Sequence, residues 1–434
     1  MSEKNEGSIS LLGAVSIGIG GMVGGGIFAV LGVAVSMAHG ATPLAFIIAG
    51  IISMLTAYSY AKLSVVFPSQ GGTVVFLDQA FGRDSLTGGF NFVLWLSYLV
   101  TLALYATAFA SYAETFFSHQ SFFLHHTLIS AAIILPSLLN LVGAEIISRS
   151  ETIIVVLKLV LLAVVIASGI AFIEPDRLAV SNWAPVSSII PAGMVIFVAY
   201  EGFELIANSA EDIKNPAVNL PRAFYLSVGL VIALYVLVAV LTVGVVPEDV
   251  IASAKDYVLA EAARPALGQF GFSLVGVSAM LATFSAINAT IYGNARLGFI
   301  LAKEKELPEI MERKVWNQPS GVLIVGALSL LMANFLDLQA ISVIASAGFL
   351  LIFSGVNLAG FFLAEKIKAR KTPMLVGFIV CLGALVTLLW RSAYDNPEAC
   401  WAFFAFIAAS FLFEAAMGKL NSSKIRAWHE FRKK

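Results

Sequence analysis

Twelve apolar runs, each near the length of a membrane crossing, dominate the sequence. A helix needs about 20 apolar residues to cross a hydrocarbon layer of about 30 Å. Hydrophobic residues make up 59% of the 434 residues and charged residues only 12%, which excludes an ordinary soluble domain. The sequence therefore predicts an all-α polytopic membrane protein with 12 transmembrane helices. They lie at roughly 9–36, 41–66, 85–116, 127–145, 151–173, 189–212, 222–246, 270–301, 318–334, 338–364, 373–391 and 398–418.

Two intervening segments, 67–84 and 247–269, are too polar to cross the membrane. We expect the first to be an interfacial loop. The second should form short helices that lie over one face of the molecule.

The distribution of Lys and Arg predicts that both termini are cytoplasmic. If the N-terminus is inside, only Arg177, Lys255, Arg264 and Arg391 fall on the outer side, and Lys158 alone falls within a span. The remaining basic residues lie on the inner side, as the positive-inside rule requires. The N-terminus has no cleavage-site pattern, so we expect the first span to act as an anchor in the cell membrane.

The first apolar run contains a glycine cluster that predicts a broken helix. Residues 16–28 read SIGIGGMVGGGIF, with Gly24, Gly25 and Gly26 consecutive at mid-span. Glycine inside a helix costs about 1 kcal/mol relative to alanine, and hydrocarbon cannot satisfy the N–H and C=O groups that a break exposes. We expect these N–H groups, at the start of a half-helix, to bind a carboxylate. The alternative is close helix packing, because the stretch fits GxxxG twice.

The sixth run also breaks at its middle, where Glu201 and Glu204 flank Gly202. Spans one and six then correspond in two five-span halves of opposite topology, about 9–173 and 189–364, with extra helices at about 373–418 in one transporter domain (1–434). Paired interrupted helices in inverted repeats indicate the central site of a transporter. An amino acid, with one anionic and one cationic end, would satisfy both kinds of exposed backbone group. We favour a structural or gating role for Glu204 and leave Glu201 open.

Lys158 is a cation within the fifth span, about seven residues or 10 Å from its start. One interpretation is that its side chain snorkels to the interface. The other is that it faces the interior and exchanges a proton. We favour the second, because intramembrane charge is usually functional.

Three spaced motifs resemble those of the amino acid–polyamine–organocation (APC) transporters. GIGGMVGGGIF resembles their first span, AYEGFE followed by AEDIKNPAVNLPRA resembles their sixth span and next inner loop, and NATIYGNARLGFILAKEKELPE is similar to their eighth span. The match runs in order over about residues 8–420. Lys158 also resembles a lysine of the proton-coupled members, where an ammonium occupies the place of the second sodium ion of sodium-coupled relatives.

The resemblance implies that the Gly25 and Gly26 N–H groups bind the substrate carboxylate, while the backbone carbonyls of Met22, Val198 and Glu201 bind its ammonium. It also implies that Lys158 lies near the Gly20 carbonyl and Ser285. The predicted substrate-binding residues are Met22, Gly24, Gly25, Gly26, Val198, Glu201 and Phe203; the gating residues are Tyr200, Phe203 and Glu204; the proton-coupling residues are Lys158, Gly20 and Ser285. The position of Glu201 is usually apolar or small in this family, so a carboxylate there favours a cationic amino acid or an extra proton site.

The predicted function is proton-coupled symport of amino acids by alternating access, with no sodium and no cofactor. The alternatives are an amino acid exchanger, a polyamine or cationic amino acid carrier, and, from another class, a membrane nutrient sensor. The sequence offers no catalytic set and no metal site, so we do not expect an enzyme. The expected partners are a small amino acid and the lipid bilayer. A net charge of -1 gives no sign of a nucleic-acid partner, and the oligomeric state stays open.

Overall fold

The computed structural model describes residues 8–142, 145–315 and 318–431, and the side chains outside 143–153 and 419–431. Within these ranges the structure is almost entirely helical, with one antiparallel pair of two-residue strands, β1 (Lys314–Val315) and β2 (Gln318–Pro319). The helices are α1 (Leu11–Met22), α2 (Gly26–Ala38), α3 (Thr42–Val66), α4 (Thr73–Phe81), α5 (Ser85–Glu114), α6 (Phe122–Val142), α7 (Glu145–Gly169), α8 (Val186–Val195), α9 (Leu205–Asn208), α10 (Pro216–Val245), α11 (Glu248–Ser253), α12 (Val258–Lys303), α13 (Gly321–Phe335), α14 (Leu338–Leu363), α15 (Lys371–Asp395) and α16 (Pro397–Phe431).

The predicted class, an all-α polytopic membrane protein, is confirmed. Ten helical spans of the described chain are long and apolar enough to cross a membrane, and the bent pair α1–α2 makes an eleventh. The predicted span 318–334 is the exception, because β2 takes its first residues and α13 has only 15 residues. Such a helix is about 22 Å long. The count of twelve and the inverted repeat therefore stay predictions.

The two polar segments contain more helix than their composition suggests. The segment 67–84, predicted to be an interfacial loop, instead contains the helix α4, which buries Val74, Phe76 and Leu77. The short helices predicted within 247–269 are confirmed by α11 and by a 3₁₀ turn at Lys255–Tyr257. The run α12 consists of two helices that meet at a kink at Gly268, where φ is +59°, so the second of them begins close to residue 270, as predicted.

The predicted break in the first span is confirmed. Helix α1 ends at Met22, α2 begins at Gly26, and the two axes differ by 49°. No side chain caps the start of α2. The first N–H groups of a helix have no partner within the helix itself, so this helix start can offer donors to a ligand.

The predicted break in the sixth span is also confirmed. Helix α8 passes into a 3₁₀ segment, Ile196–Tyr200, before the chain turns at 201–204 and continues as α9. Gly202 has φ +114°, a conformation that residues with a Cβ rarely adopt. The two breaks cross here, since a Cβ on Gly21 would lie 2.6 Å from the Gly202 carbonyl oxygen. Glycine is required at both positions.

The breaks lie at the centre of the helix assembly. In the apolar 18-residue stretches of α5, α14 and the α8–α9 span, 89% of the residues are buried. In the corresponding stretches of α15 and the α16 span, only 33% and 17% are buried. The outer helices turn apolar residues such as Trp390 and Leu412 outward, toward the lipid. The site described below is therefore enclosed by protein, as unwound backbone at membrane depth must be.

Candidate functional site

A cavity of about 810 Å³ extends from the two breaks to the beginning of α1 and the end of α12. The deep end of the cavity, farthest from its opening, is formed by both breaks and by two tyrosines of α5. The residues there are Gly20, Gly21, Tyr98, Tyr105, Lys158, Glu201, Gly202 and Ser285. On the other side of the first break, α2 is buried along most of its length. The cavity thus approaches the breaks from one side only.

Lys158 points into this cavity rather than toward the lipid. Its ammonium Nζ donates to the Gly20 carbonyl oxygen at 3.1 Å, and the residue is 4% exposed, whereas its neighbours Val156 and Leu157 face outward. The snorkelling interpretation is therefore wrong. The bond joins α7 to the last turn of α1, and Ser285 of α12 lines the same cavity.

Glu204 is held by two hydrogen bonds at the second break. Its Oε2 accepts from the Gly202 N–H at 2.8 Å, and its Oε1 accepts from the Tyr98 hydroxyl at 3.0 Å. One carboxylate oxygen thus satisfies a backbone donor that the break exposes. This geometry favours the structural role for Glu204.

Glu201 lies beside it but faces the cavity. Its Oε2 accepts a hydrogen bond from the Tyr105 hydroxyl at 3.1 Å, and the residue is 5% exposed. Both Glu201 and Tyr105 line the cavity. The structure thus brings one of the predicted substrate-binding side chains to the cavity, together with a tyrosine that the sequence did not indicate.

The consecutive glycines Gly24, Gly25 and Gly26 are buried and are not among the cavity-lining residues that the structure describes. A Cβ on Gly25 would lie 2.6 Å from Tyr105 Cγ, and a Cβ on Gly26 would lie 2.7 Å from Ala199 Cα. Close packing therefore accounts for the small size of these residues in this conformation. Their role in binding a carboxylate stays a prediction.

Tyr235 of α10 connects the two breaks, a role that the sequence did not predict. Its hydroxyl lies 2.6 Å from the Met22 carbonyl oxygen and 3.0 Å from the Ala199 carbonyl oxygen. A hydroxyl has one proton to donate, so it satisfies one carbonyl at a time. The phenol occupies a carbonyl, that of Met22, that was predicted to bind the substrate ammonium. A tyrosine in an apolar run carries no sequence signal for this contact.

The remaining predicted residues form a buried aromatic layer around the second break. Tyr200 donates to the Phe46 carbonyl oxygen at 2.9 Å, and the Phe203 ring packs against Phe353 with centroids 5.2 Å apart. The N–H of Val198 is bonded to Ser346 Oγ at 3.0 Å. These contacts fix the backbone at the break, and the gating role of Tyr200 and Phe203 stays a prediction.

A second group of polar residues lies away from the cavity, where the loop after α12 meets α4 and α5. Both carboxylate oxygens of Glu306 accept from the Asn91 amide, at 3.1 and 3.3 Å. The pKa of Glu306 is raised to about 7, mainly by burial and also by the nearby acids Asp78, Glu414 and Glu304, while the hydrogen bond from Asn91 lowers it. Arg83 is paired with two of these acids, Asp78 and Glu304.

Glu306 should make the protein less stable as the pH rises from about 4.5 to about 7. The folded protein keeps this proton up to a pH of about 7, whereas the unfolded chain loses it near 4.5. The stabilisation is therefore complete below pH 4.5 and is lost as the pH passes 7. We expect the melting temperature of the wild type in detergent to fall by about 2 °C more than that of Glu306→Gln between pH 5 and pH 8. Parallel melting curves for the two proteins would contradict this prediction.

Two interrupted membrane helices that cross beside a cavity open at one end are typical of a membrane carrier. A model of the amino acid permease family matches residues 9–421. Since the match covers nearly the whole sequence, the chain belongs to the amino acid permease family. This confirms the resemblance to the APC transporters.

Similar proteins align with most of the chain, and two of those that follow are transporters by name. An uncharacterised protein of Methanocaldococcus jannaschii is 35% identical over 97% of both chains. The inner membrane transport protein YbaT of Escherichia coli is 35% identical over 90% of this chain and 92% of its own. The methylthioribose transporter of Bacillus subtilis is 24% identical over 92% of this chain and 90% of its own. The protein is therefore an integral membrane transporter of amino acids or related small molecules.

Proposed function

We propose that this protein imports amino acids together with protons across the cell membrane by alternating access. The observation that carries the proposal is the hydrogen bond from the Lys158 ammonium to the Gly20 carbonyl oxygen, 3.1 Å long, at the edge of the first break. It connects a group that can gain or lose a proton to the backbone segment that would bind substrate.

The proposed coupling works through this bond. A protonated Lys158 ties α7 to the end of α1 by a charge-assisted hydrogen bond, which is stronger than a neutral one. Loss of the proton weakens the tie and lets the α1 half-helix move relative to α7. A coupling free energy of about 1–3 kcal/mol between proton and substrate is enough to link the two.

The substrate lies between the two breaks in this proposal. Its carboxylate binds the N–H groups at the start of α2, where the helix dipole favours an anion. Its ammonium binds the carbonyl oxygens that the breaks expose, so Tyr235 must release the Met22 carbonyl when the ammonium arrives. No sodium ion and no cofactor take part.

We assign the described conformation to the inward-facing state. The cavity reaches the beginning of α1, and the distribution of Lys and Arg favours a cytoplasmic N-terminus. On the opposite side the backbone of Lys255 contacts Gly32 of α2, so that segment covers the outer end of the first span.

The direct test is uptake by the purified protein in liposomes. We expect a labelled amino acid to accumulate when an inward proton gradient is applied in sodium-free buffer, and a protonophore should abolish the accumulation. Uptake that needs amino acid inside the liposomes and ignores the proton gradient would identify an exchanger and would refute proton symport.

A further inference from the structure

The two carboxylates at the second break have different surroundings. Glu204 accepts from a backbone N–H and from Tyr98, and among the described residues it is not part of the cavity wall. Glu201 lines the cavity and accepts from the hydroxyl of Tyr105, which also lines it. Glu204 thus satisfies a backbone group, whereas Glu201, whose carboxyl group also contacts that of Glu204, is the one of the two that lines the cavity.

Tyr105 covers the first break at the same time. Its ring lies against Gly25 so closely that a Cβ there would overlap the ring, while its hydroxyl holds Glu201. The ring therefore occupies the space between the two breaks, and a substrate that binds between them has to displace it. Displacement removes the hydrogen-bond donor from a buried carboxylate, which is costly unless another donor takes its place.

We infer that Glu201 is a specificity-determining residue and that the substrates are amino acids with a cationic side chain, such as lysine or arginine. The cationic group takes the place of the Tyr105 hydroxyl on Glu201. This inference rests on the proposed function, because it assumes that the substrate carboxylate binds at the first break.

The length of the Tyr105 ring determines which cationic group of the substrate can reach Glu201. It is the cation of the side chain and not the α-ammonium. The near edge of the ring touches Gly25 and its far end bonds Glu201. The carboxylate and ammonium of an amino acid are attached to one carbon, so they are too close together to span a phenol ring. An extended side chain spans it, and its charge then meets the carboxylate.

The charge of the substrate decides the selectivity. A cationic side chain forms a charge-assisted hydrogen bond with Glu201, which is stronger than a bond between neutral groups. A neutral side chain of the same length displaces Tyr105 without offering Glu201 a cationic donor in its place. We therefore expect a preference of about tenfold or more for the cationic member of a matched pair.

The test compares binding within two such pairs, lysine with norleucine and arginine with citrulline, by calorimetry on the full chain in nanodiscs. The wild type should bind the cationic member about tenfold more tightly. Glu201→Gln keeps the size of the side chain and an acceptor for Tyr105 but removes the charge. It should reduce the preference to within about twofold, mainly by weakening the binding of lysine.

Asp212→Asn is the matched control, because Asp212 also lines the cavity but is exposed to solvent, away from the two breaks. It should leave the preference unchanged. Equal binding of lysine and norleucine by the wild type, or an undiminished preference in Glu201→Gln, would overturn the inference while leaving amino acid transport intact. The wild-type comparison decides the matter even if the variant does not fold. Failure of every amino acid to bind would instead refute the proposed function.

Discussion

Lys158→Ala should abolish the stimulation of amino acid uptake by a proton gradient. The side chain is buried at the deep end of the cavity and donates to the Gly20 carbonyl oxygen. Its loss removes both the titrating group and the bond between α7 and the first break. In liposomes we expect the gradient-driven rate to fall by about tenfold or more, to the rate without a gradient, which is within the range of typical coupling energies.

Two further variants separate titration from simple loss of contact. Lys158→Arg keeps a cation that does not deprotonate in proteins, so it should retain substrate binding but should not support proton-driven uptake. Lys62→Ala removes a lysine whose ammonium lies over the Tyr58 ring, and it should behave like the wild type. Gradient-driven uptake by Lys158→Ala at the wild-type rate would exclude coupling through this residue.

Gly25→Val should weaken substrate binding by about 100-fold, because it disturbs the donors that bind the carboxylate. A Cβ at this position would lie 2.6 Å from Tyr105 Cγ, and the tyrosine is itself held by Glu201. The added side chain must push either the ring or the start of α2 out of place. Calorimetry with the tightest-binding amino acid measures the effect.

Gly293→Val provides the matched control. Gly293 lines the same cavity on α12, and a Cβ built there meets no atom within 4 Å. The substitution therefore adds the same side chain to the same cavity without a clash, and the affinity should change by less than about threefold. Wild-type affinity in Gly25→Val would refute the carboxylate site at the first break.

The sequence was sufficient to predict both helix breaks, because glycine and carboxylate at mid-span conflict with a continuous helix in lipid. It also indicated Lys158, since charge is rare at that depth. The crossing of Gly21 with Gly202 was not predictable in the same way. It depends on the relative position of two segments that lie far apart in the chain.

The tyrosines illustrate the same limit. Tyr98, Tyr105 and Tyr235 each place a hydroxyl on a carboxylate or carbonyl of a broken helix. In the sequence they are aromatic residues within apolar runs, where packing is the usual role. Only the arrangement of α5 and α10 around the breaks brings these hydroxyl groups to their acceptors.

Helix ends were predicted less well than helix interiors. The apolar character of 318–334 hid the strand that takes its first residues, so α13 is shorter than a typical crossing. The polar composition of 67–84 hid α4, whose buried side chains occupy only one side of a nine-residue helix. The average hydrophobicity of a segment does not predict such local changes of secondary structure, because they depend on tertiary contacts.

The most direct test of a zwitterion site between the two breaks is a comparison of the best-bound amino acid with its methyl ester, by calorimetry on the wild-type protein. The ester keeps the ammonium and the side chain but removes the anionic charge that the N–H groups of the first break are proposed to bind. We expect the ester to bind about 100-fold more weakly. An ester that binds as tightly as the free amino acid would show that no carboxylate is bound there.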